Sequence, residues 1–323
     1  VQSPTSKDPK SKIQNPKSHD GWFRGLSVYQ DLVLDGQTVL AGARDCPQRW
    51  EVIEPQLPAA GSILDVGSNF GWFGLKICQS RPECVVASVE ADRRSAWVQR
   101  RVLQSHRAER ICLLTDRAGV RLAERFRRAG QRFDAVLCLS VLHWIADHRQ
   151  FLSGLATIAG RMLIEQPDPR EEGAGVERIR GEIGAAEEYL SSLFADRTVT
   201  CVARWPSHRD PRYTRDLWLV GEPPGWPAAA SPGLDVAAML DLGLSWPPRS
   251  WWLGRLPQAL PSGSRGQLLL TPRGPALDDR PAGDELAKLP ARLRRVPENR
   301  LFTPARGLFH RLRRLAGRVL HRG

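Results

Sequence analysis

The residues of this chain best suited to chemistry cluster around 61–73, GSILDVGSNFGWF. The apolar pair Ile63-Leu64 runs into Asp65-Val66-Gly67 and then Ser68-Asn69-Phe70-Gly71, before a second apolar stretch begins at Trp72. That pattern predicts a buried parallel strand ending in a glycine-rich loop that opens a helix. Gly67 and Gly71 let backbone approach a ligand closely, and the first amide N–H groups of the following helix lack intrahelical partners. Such a junction suits a nucleotide-like ligand. Glu90 and Asp116 close the next two apolar runs, while Ser140, His143 and Glu165 accompany later ones.

The elements that must position these groups alternate regularly. Apolar strand patterns at 84–92, 111–115, 133–140 and 161–165 are separated by amphipathic helix patterns at 72–80, 93–105, 118–129 and 147–158. Strands alternating with helices of this length imply βαβ units and a mostly parallel sheet covered on both faces. A longer helix over 175–194 and a closing pair of strands at 198–205 and 215–221 complete the expected fold, a Rossmann-like α/β sheet of seven strands ending near Glu222. Ahead of it, 21–42 contains aromatics and a hairpin signal at Asp35-Gly36, followed by a helix over 46–57; this block reads as a lid or substrate-side extension.

The expected domain organisation is a disordered tail at 1–20, the α/β domain at 21–222, an irregular accessory region rich in Pro, Trp and Arg at 223–303, and a basic amphipathic helix at 304–323. Net charge is +12, and 223–323 alone holds 16 basic and 7 acidic residues, so the α/β domain is close to neutral. Lysines number six; the remaining basic residues are arginine, a bias that high genomic G+C content would also produce. Six cysteines without a C-x-x-C pair lie mostly in apolar segments, which predicts buried thiols in a reducing, cytoplasmic setting and no metal site.

The glycine spacing is not G-x-G-x-x-G, since Asn69 separates Gly67 from Gly71. Asp65, Gly67 and Gly71 resemble the first motif of class I S-adenosylmethionine-dependent methyltransferases: acidic residue, x, Gly, x, Gly, x, Gly. Asn69 replaces the middle glycine, and asparagine tolerates left-handed backbone better than most residues. The resemblance implies an S-adenosylmethionine site built from Asp65, Gly67, Ser68, Asn69, Gly71, Glu90, Asp116 and Ser140. In it Glu90 would grip the ribose hydroxyls, Asp116 would lie near the adenine amino group, and Ser140 would sit beside the methionine moiety. Methyl transfer chiefly requires an aligned nucleophile and a proton acceptor. His143 is the first candidate base, with local packing as its other reading. Glu165 is the second, as base or substrate anchor. Asp168, Glu171 and Glu172 read as solvated loop charges.

The segment VLCLSVLHWI also resembles the RNA methylphosphate-capping methyltransferases, and DVGSN is shared with them and with some tRNA-wobble-uridine enzymes. Arg44, Asp45, Arg49 and Trp50 lie where such relatives place substrate or cofactor contacts; packing and surface pairing are the alternative. The expected function is methyl transfer to an oxygen or nitrogen of a small molecule or glycan intermediate. The rivals are an RNA methyltransferase, with nucleic acid as a less favoured partner, and a non-catalytic scaffold of the same fold that recruits a membrane or protein partner. Residues 304–323 could lie on an anionic membrane surface or dock on the protein's own appendage.

Overall fold

The N-terminal block is an antiparallel hairpin, β1 (Leu32–Leu34) and β2 (Gln37–Leu40), followed by helix α1 (Cys46–Ile53). The Asp45 carboxylate caps α1 by accepting the Gln48 N–H at 2.9 Å. The computed structural model describes residues 28–34, 36–227, 233–235, 239, 244–247, 267–271 and 274–278. The expected tail at 1–20 and the helix at 304–323 lie outside the described residues, as do Trp22 and Phe23.

The alternating patterns become β3 (Ala60–Val66), α2 (Trp72–Ser80), β4 (Glu83–Val89), α3 (Arg93–Ser105), β5 (Ile111–Leu114), α4 (Val120–Arg128), β6 (Phe133–Leu139), α5 (His148–Ala156) and β7 (Ala159–Gln166). The expected single helix over 175–194 is two, α6 (Ala174–Gly184) and α7 (Ala186–Leu193), broken at Ala185, whose φ of −122° and ψ of 52° are not helical. Gly181 and Gly184 weaken the helix just before that break. β8 (Val199–Pro206) and β9 (Thr214–Val220) follow.

In the main sheet β3 pairs in parallel with β4 and β6, β4 with β5, and β6 with β7; β9 lies antiparallel to β7 and carries β8 outside it. Most of the region expected to be irregular, 223–303, lies outside the described residues. Its described residues include β10 (Leu234–Asp235), β11 (Leu244–Trp246), β12 (Gln267–Thr271) and β13 (Gly274–Asp278). β11 adds antiparallel to β5, so the sheet has eight strands and order β11-β5-β4-β3-β6-β7-β9-β8, rather than seven; β10, β12 and β13 form a separate small sheet. Strands of two to five residues are too short to show a periodicity, which is why the sequence reading missed them.

Alternation along the strands feeds two cores. Leu64, Val66, Val85 and Ala87 pack on the side of α4, α5, α6 and α7 with Phe126, Phe151 and Ile179, whereas Ile63 and Val86 pack on the side of α1, α2 and α3 with Ile53, Phe73, Ile77 and Val102. Five cysteines are buried in these layers; Cys201 is exposed on β8, contrary to the general expectation. The chain steps from β3 outward through β4 and β5, then returns to start the other half at β6. Ligands of open α/β sheets bind in the crevice at such a reversal, beyond the carboxyl ends of the strands.

Candidate active site

The loop after β3 and the turn after β6 both emerge at this reversal. Gly67, Asn69 and Gly71 have φ of 70°, 52° and 81°, so three left-handed residues fold the loop back toward α2. A side chain at 67 would sit 2.8 Å from Val141 Cγ2, so that position requires glycine for space as well as conformation. The Gly67 and Ser68 N–H groups donate to Val89 O at 2.9 and 3.1 Å, and the Asn69 N–H donates to Glu90 Oε2 at 2.7 Å. Ser68 turns away from the crevice: its fully buried hydroxyl donates to Gln99 Oε1 on α3 at 2.8 Å. Gln30 completes the loop by accepting the Trp72 N–H at 3.3 Å.

Three acids stand at the ends of three adjacent strands. Glu90, just beyond β4, accepts the Asp92 N–H on its other oxygen at 2.7 Å, and burial raises its pKa. Asp65, near the end of β3, is 2 % exposed, and its Oδ2 has no hydrogen-bond partner within the protein. Burial, with the Glu90 charge second, pushes its carboxyl up to about 7. Asp116 accepts Arg125 Nη1 at 2.9 Å and the Arg117 N–H at 2.7 Å. The buried Asn69 Oδ1 is likewise without a partner.

The other half is basic. Ser140, at a left-handed φ of 56°, donates its hydroxyl to Glu165 and accepts Arg215 Nη1 at 3.0 Å. Glu165 is fully buried at the end of β7 and also accepts Arg44 and Arg49. Burial alone would push the Glu165 carboxyl up, but Arg49 and Arg44 outweigh it and hold it at about 2. Arg215 on β9 is clamped by Glu171, with Nη2 to Oε2 at 2.6 Å. Glu171 and Asp168 are thus buried partners, not solvated charges; Asp168 accepts Arg170 and the Thr214 N–H. Only Glu172 of that trio is exposed.

His143 lies in the single helical turn Leu142–Trp144 after β6; it is 5 % exposed, and its Nδ1 is without a partner. Burial, followed by the charges of Arg215 and Arg209, lowers its pKa to about 3, so the imidazole is neutral at physiological pH. Trp144 beside it is 66 % exposed.

These groups enclose a cavity of about 290 Å³ lined by Gly67, Asn69, Glu90, Asp116, Ser140 and His143 among the expected residues. Asp65, Ser68, Gly71 and Glu165 do not line it; Asp65 and Glu165 act on it from behind, through Glu90 and Ser140 respectively. The lining also includes residues that sequence reasoning missed: Tyr29, Trp144, His208, Arg209 and Arg215. Arg215 left a trace in the sequence, since it shares the period-two face of β9 with buried Leu217. His208 and Arg209 sit in the β8–β9 connection, where no periodicity points anywhere. Among the described residues no group of three or more His, Cys, Asp or Glu side chains could hold a metal ion, and no helix is long and apolar enough to cross a membrane.

No family model matches the chain, and no curated protein matches it. Among solved structures it is similar to WbdD, described as a bifunctional kinase-methyltransferase, with TM-score 0.47 and 19% identity over 56% of this chain and 41% of that one. It is also similar to the N-terminal domain of EvdMO1, solved in the presence of SAH and D-fucose, with TM-score 0.47 and 18% identity over 61% of this chain and 91% of that one. The chain therefore spans less than half the length of WbdD.

Proposed function

We propose that the protein is an S-adenosylmethionine-dependent methyltransferase acting on an oxygen or nitrogen of a small molecule or glycan intermediate. The observation that carries this reading is the acidic half of the crevice: Asp65 and Glu90 crowd like charges beside a left-handed loop, with Asp65 Oδ2 and Asn69 Oδ1 unpartnered. Two buried carboxylates whose ionised forms are both penalised favour a ligand that brings positive charge and hydroxyl donors. Glu90 uses one acceptor site of each oxygen on a backbone N–H, which leaves the other sites for the two ribose hydroxyls. Val89, Ala91, Ala118 and Leu139 supply apolar wall for a flat base, with Asp116 at its edge. When bound, S-adenosylmethionine supplies an electrophilic methyl group on a sulfonium.

The neutral His143 imidazole faces the acceptor side of this arrangement as proton acceptor. An alcohol that has gained a methyl group is a far stronger acid than imidazolium, so a low imidazole pKa does not prevent that role. Glu165 is a positioning residue: held ionised by Arg44 and Arg49, it fixes the Ser140 hydroxyl. Trp144 offers an exposed flat face at the rim, suited to the C–H face of a sugar ring. The test is calorimetry of S-adenosylhomocysteine with the full chain and with Glu90→Ala, paired with labelled-methyl transfer to candidate acceptors. Absence of binding to the wild-type protein would remove the reading.

A further inference from the structure

The basic half of the crevice carries more positive charge than its own carboxylates balance. Arg44, Arg49 and Arg215 are each at most 4 % exposed and face two buried carboxylates, Glu165 and Glu171. Arg44 Nε and Arg49 Nε and Nη1 have no hydrogen-bond partner. Of these three arginines only Arg215 lines the cavity, and Arg209 joins it there; Arg209 is exposed, and its side chain makes no ion pair or hydrogen bond with the described residues. Two imidazoles, His143 and His208, line the same end, and the positive field of these arginines helps keep both neutral, His208 at about 4 after burial, the first cause. The Tyr29 hydroxyl and His208 Nδ1 are buried without partners, their rings meeting edge to face at 5.1 Å. Arg44 and Arg49 lie behind the wall, stacked on the Tyr29 ring and on the Phe73 and Trp205 rings respectively, so their excess charge reaches the cavity as a field. The partnerless polar groups at this end of the cavity itself are those of Tyr29, His143 and His208. Buried positive charge beside such groups favours an anion.

We propose that this end of the crevice takes an anionic group of the acceptor, a carboxylate or a phosphate, with Arg209 as its direct counter-charge and Tyr29 and His208 as neutral donors. The inference rests on the methyl-transfer reading only in calling that ligand the acceptor. The cavity is bipolar. Its acidic half, at the ends of β3, β4 and β5, suits the cationic cofactor, whereas its basic half, beyond β6 and in the β8–β9 connection, suits an anion. Arg209 is placed to exchange with solvent and so to capture the group, while the buried arginines supply a fixed field behind it.

The test uses the full chain saturated with S-adenosylhomocysteine, titrated separately with inorganic phosphate and with acetate while the imidazole signals of His143 and His208 are followed by NMR. The expected result is a saturable shift for at least one anion, with affinity about ten-fold weaker in Arg209→Ala and unchanged in Arg212→Ala, whose exposed guanidinium already pairs with Asp210. The anion with the higher affinity identifies the acceptor group as phosphate or carboxylate. No saturable shift with either anion, or equal affinity in Arg209→Ala, overturns the proposal. So does an Arg209→Ala protein that loses S-adenosylhomocysteine affinity instead, because the basic wall would then hold the cofactor's own carboxylate. If the wild type does not bind S-adenosylhomocysteine, the methyl-transfer reading falls; the same titrations on the ligand-free chain then decide the anion site by themselves.

Discussion

The Asn69 backbone N–H donates to Glu90 Oε2 at 2.7 Å, joining the loop after β3 to the end of β4. Asn69 also holds a left-handed φ of 52°, so one residue both departs from the glycine pattern and delivers the amide that meets the acid.

That geometry makes position 69 sensitive to backbone preference. Asn69→Gly is expected to leave stability almost unchanged, whereas Asn69→Val, whose branched side chain opposes left-handed backbone, is expected to cost about 1–2 kcal/mol and to loosen S-adenosylhomocysteine binding. Urea melts and calorimetry on the two variants check it; equal behaviour would show that the loop does not depend on this conformation.

Glu90→Gln keeps the shape but leaves only one of the Asn69 and Asp92 N–H groups with an oxygen acceptor, now uncharged, and sets the other against the amide NH2. We expect S-adenosylhomocysteine affinity to fall by about ten-fold in Glu90→Gln and further in Glu90→Ala, read by calorimetry.

Asp65 links stability to pH. Its carboxyl titrates near 7 in the folded protein and near 4 when unfolded, so between those values the folded state holds more protons and stability falls as pH rises. Asp65→Asn should therefore be more stable than the wild type at pH 8, by on the order of a few kcal/mol, and nearly equal to it at pH 4. The same substitution should weaken cofactor binding. Thermal melts across pH 4–8 test the sign, and a variant destabilised at pH 8 would contradict it.

Glu165→Gln removes the carboxylate that Arg44 and Arg49 share. Leaving buried guanidinium groups uncompensated is expected to cost about 3–5 kcal/mol. Because the folded-state pKa is held at about 2, the stabilisation present in the wild type should persist above pH 4.5 and disappear as pH falls toward 2. Denaturant titrations at pH 7 and pH 3 measure both effects.

His143 should show no titration between pH 5 and 8, because burial and the Arg215 and Arg209 charges hold it near 3. Imidazole NMR shifts report this directly. A midpoint near 6.5 would mean that solvent reaches the imidazole, removing its burial and screening the arginines.

The sequence alone determined the alternation of strands and helices, the glycine loop and the acids at successive strand ends. Each of these is a local signal, carried by apolar period, turn residues or the point where an apolar run stops. It did not determine that the predicted helix at 175–194 breaks at Ala185, nor that β11 would add to the far edge of the sheet, since a three-residue strand has no readable period. The roles of Glu165 and Ser68 were also out of reach. Glu165 reads as a carboxylate at a strand end, and becomes a positioning charge only because Arg44, 121 residues earlier, folds onto it. Ser68 reads as part of the loop, and only packing turns its hydroxyl into α3. Tertiary structure likewise decided the division of the crevice into acidic and basic halves. Electrostatic character at a buried site depends on which distant side chains meet and on how much water is excluded, and neither is encoded in local spacing.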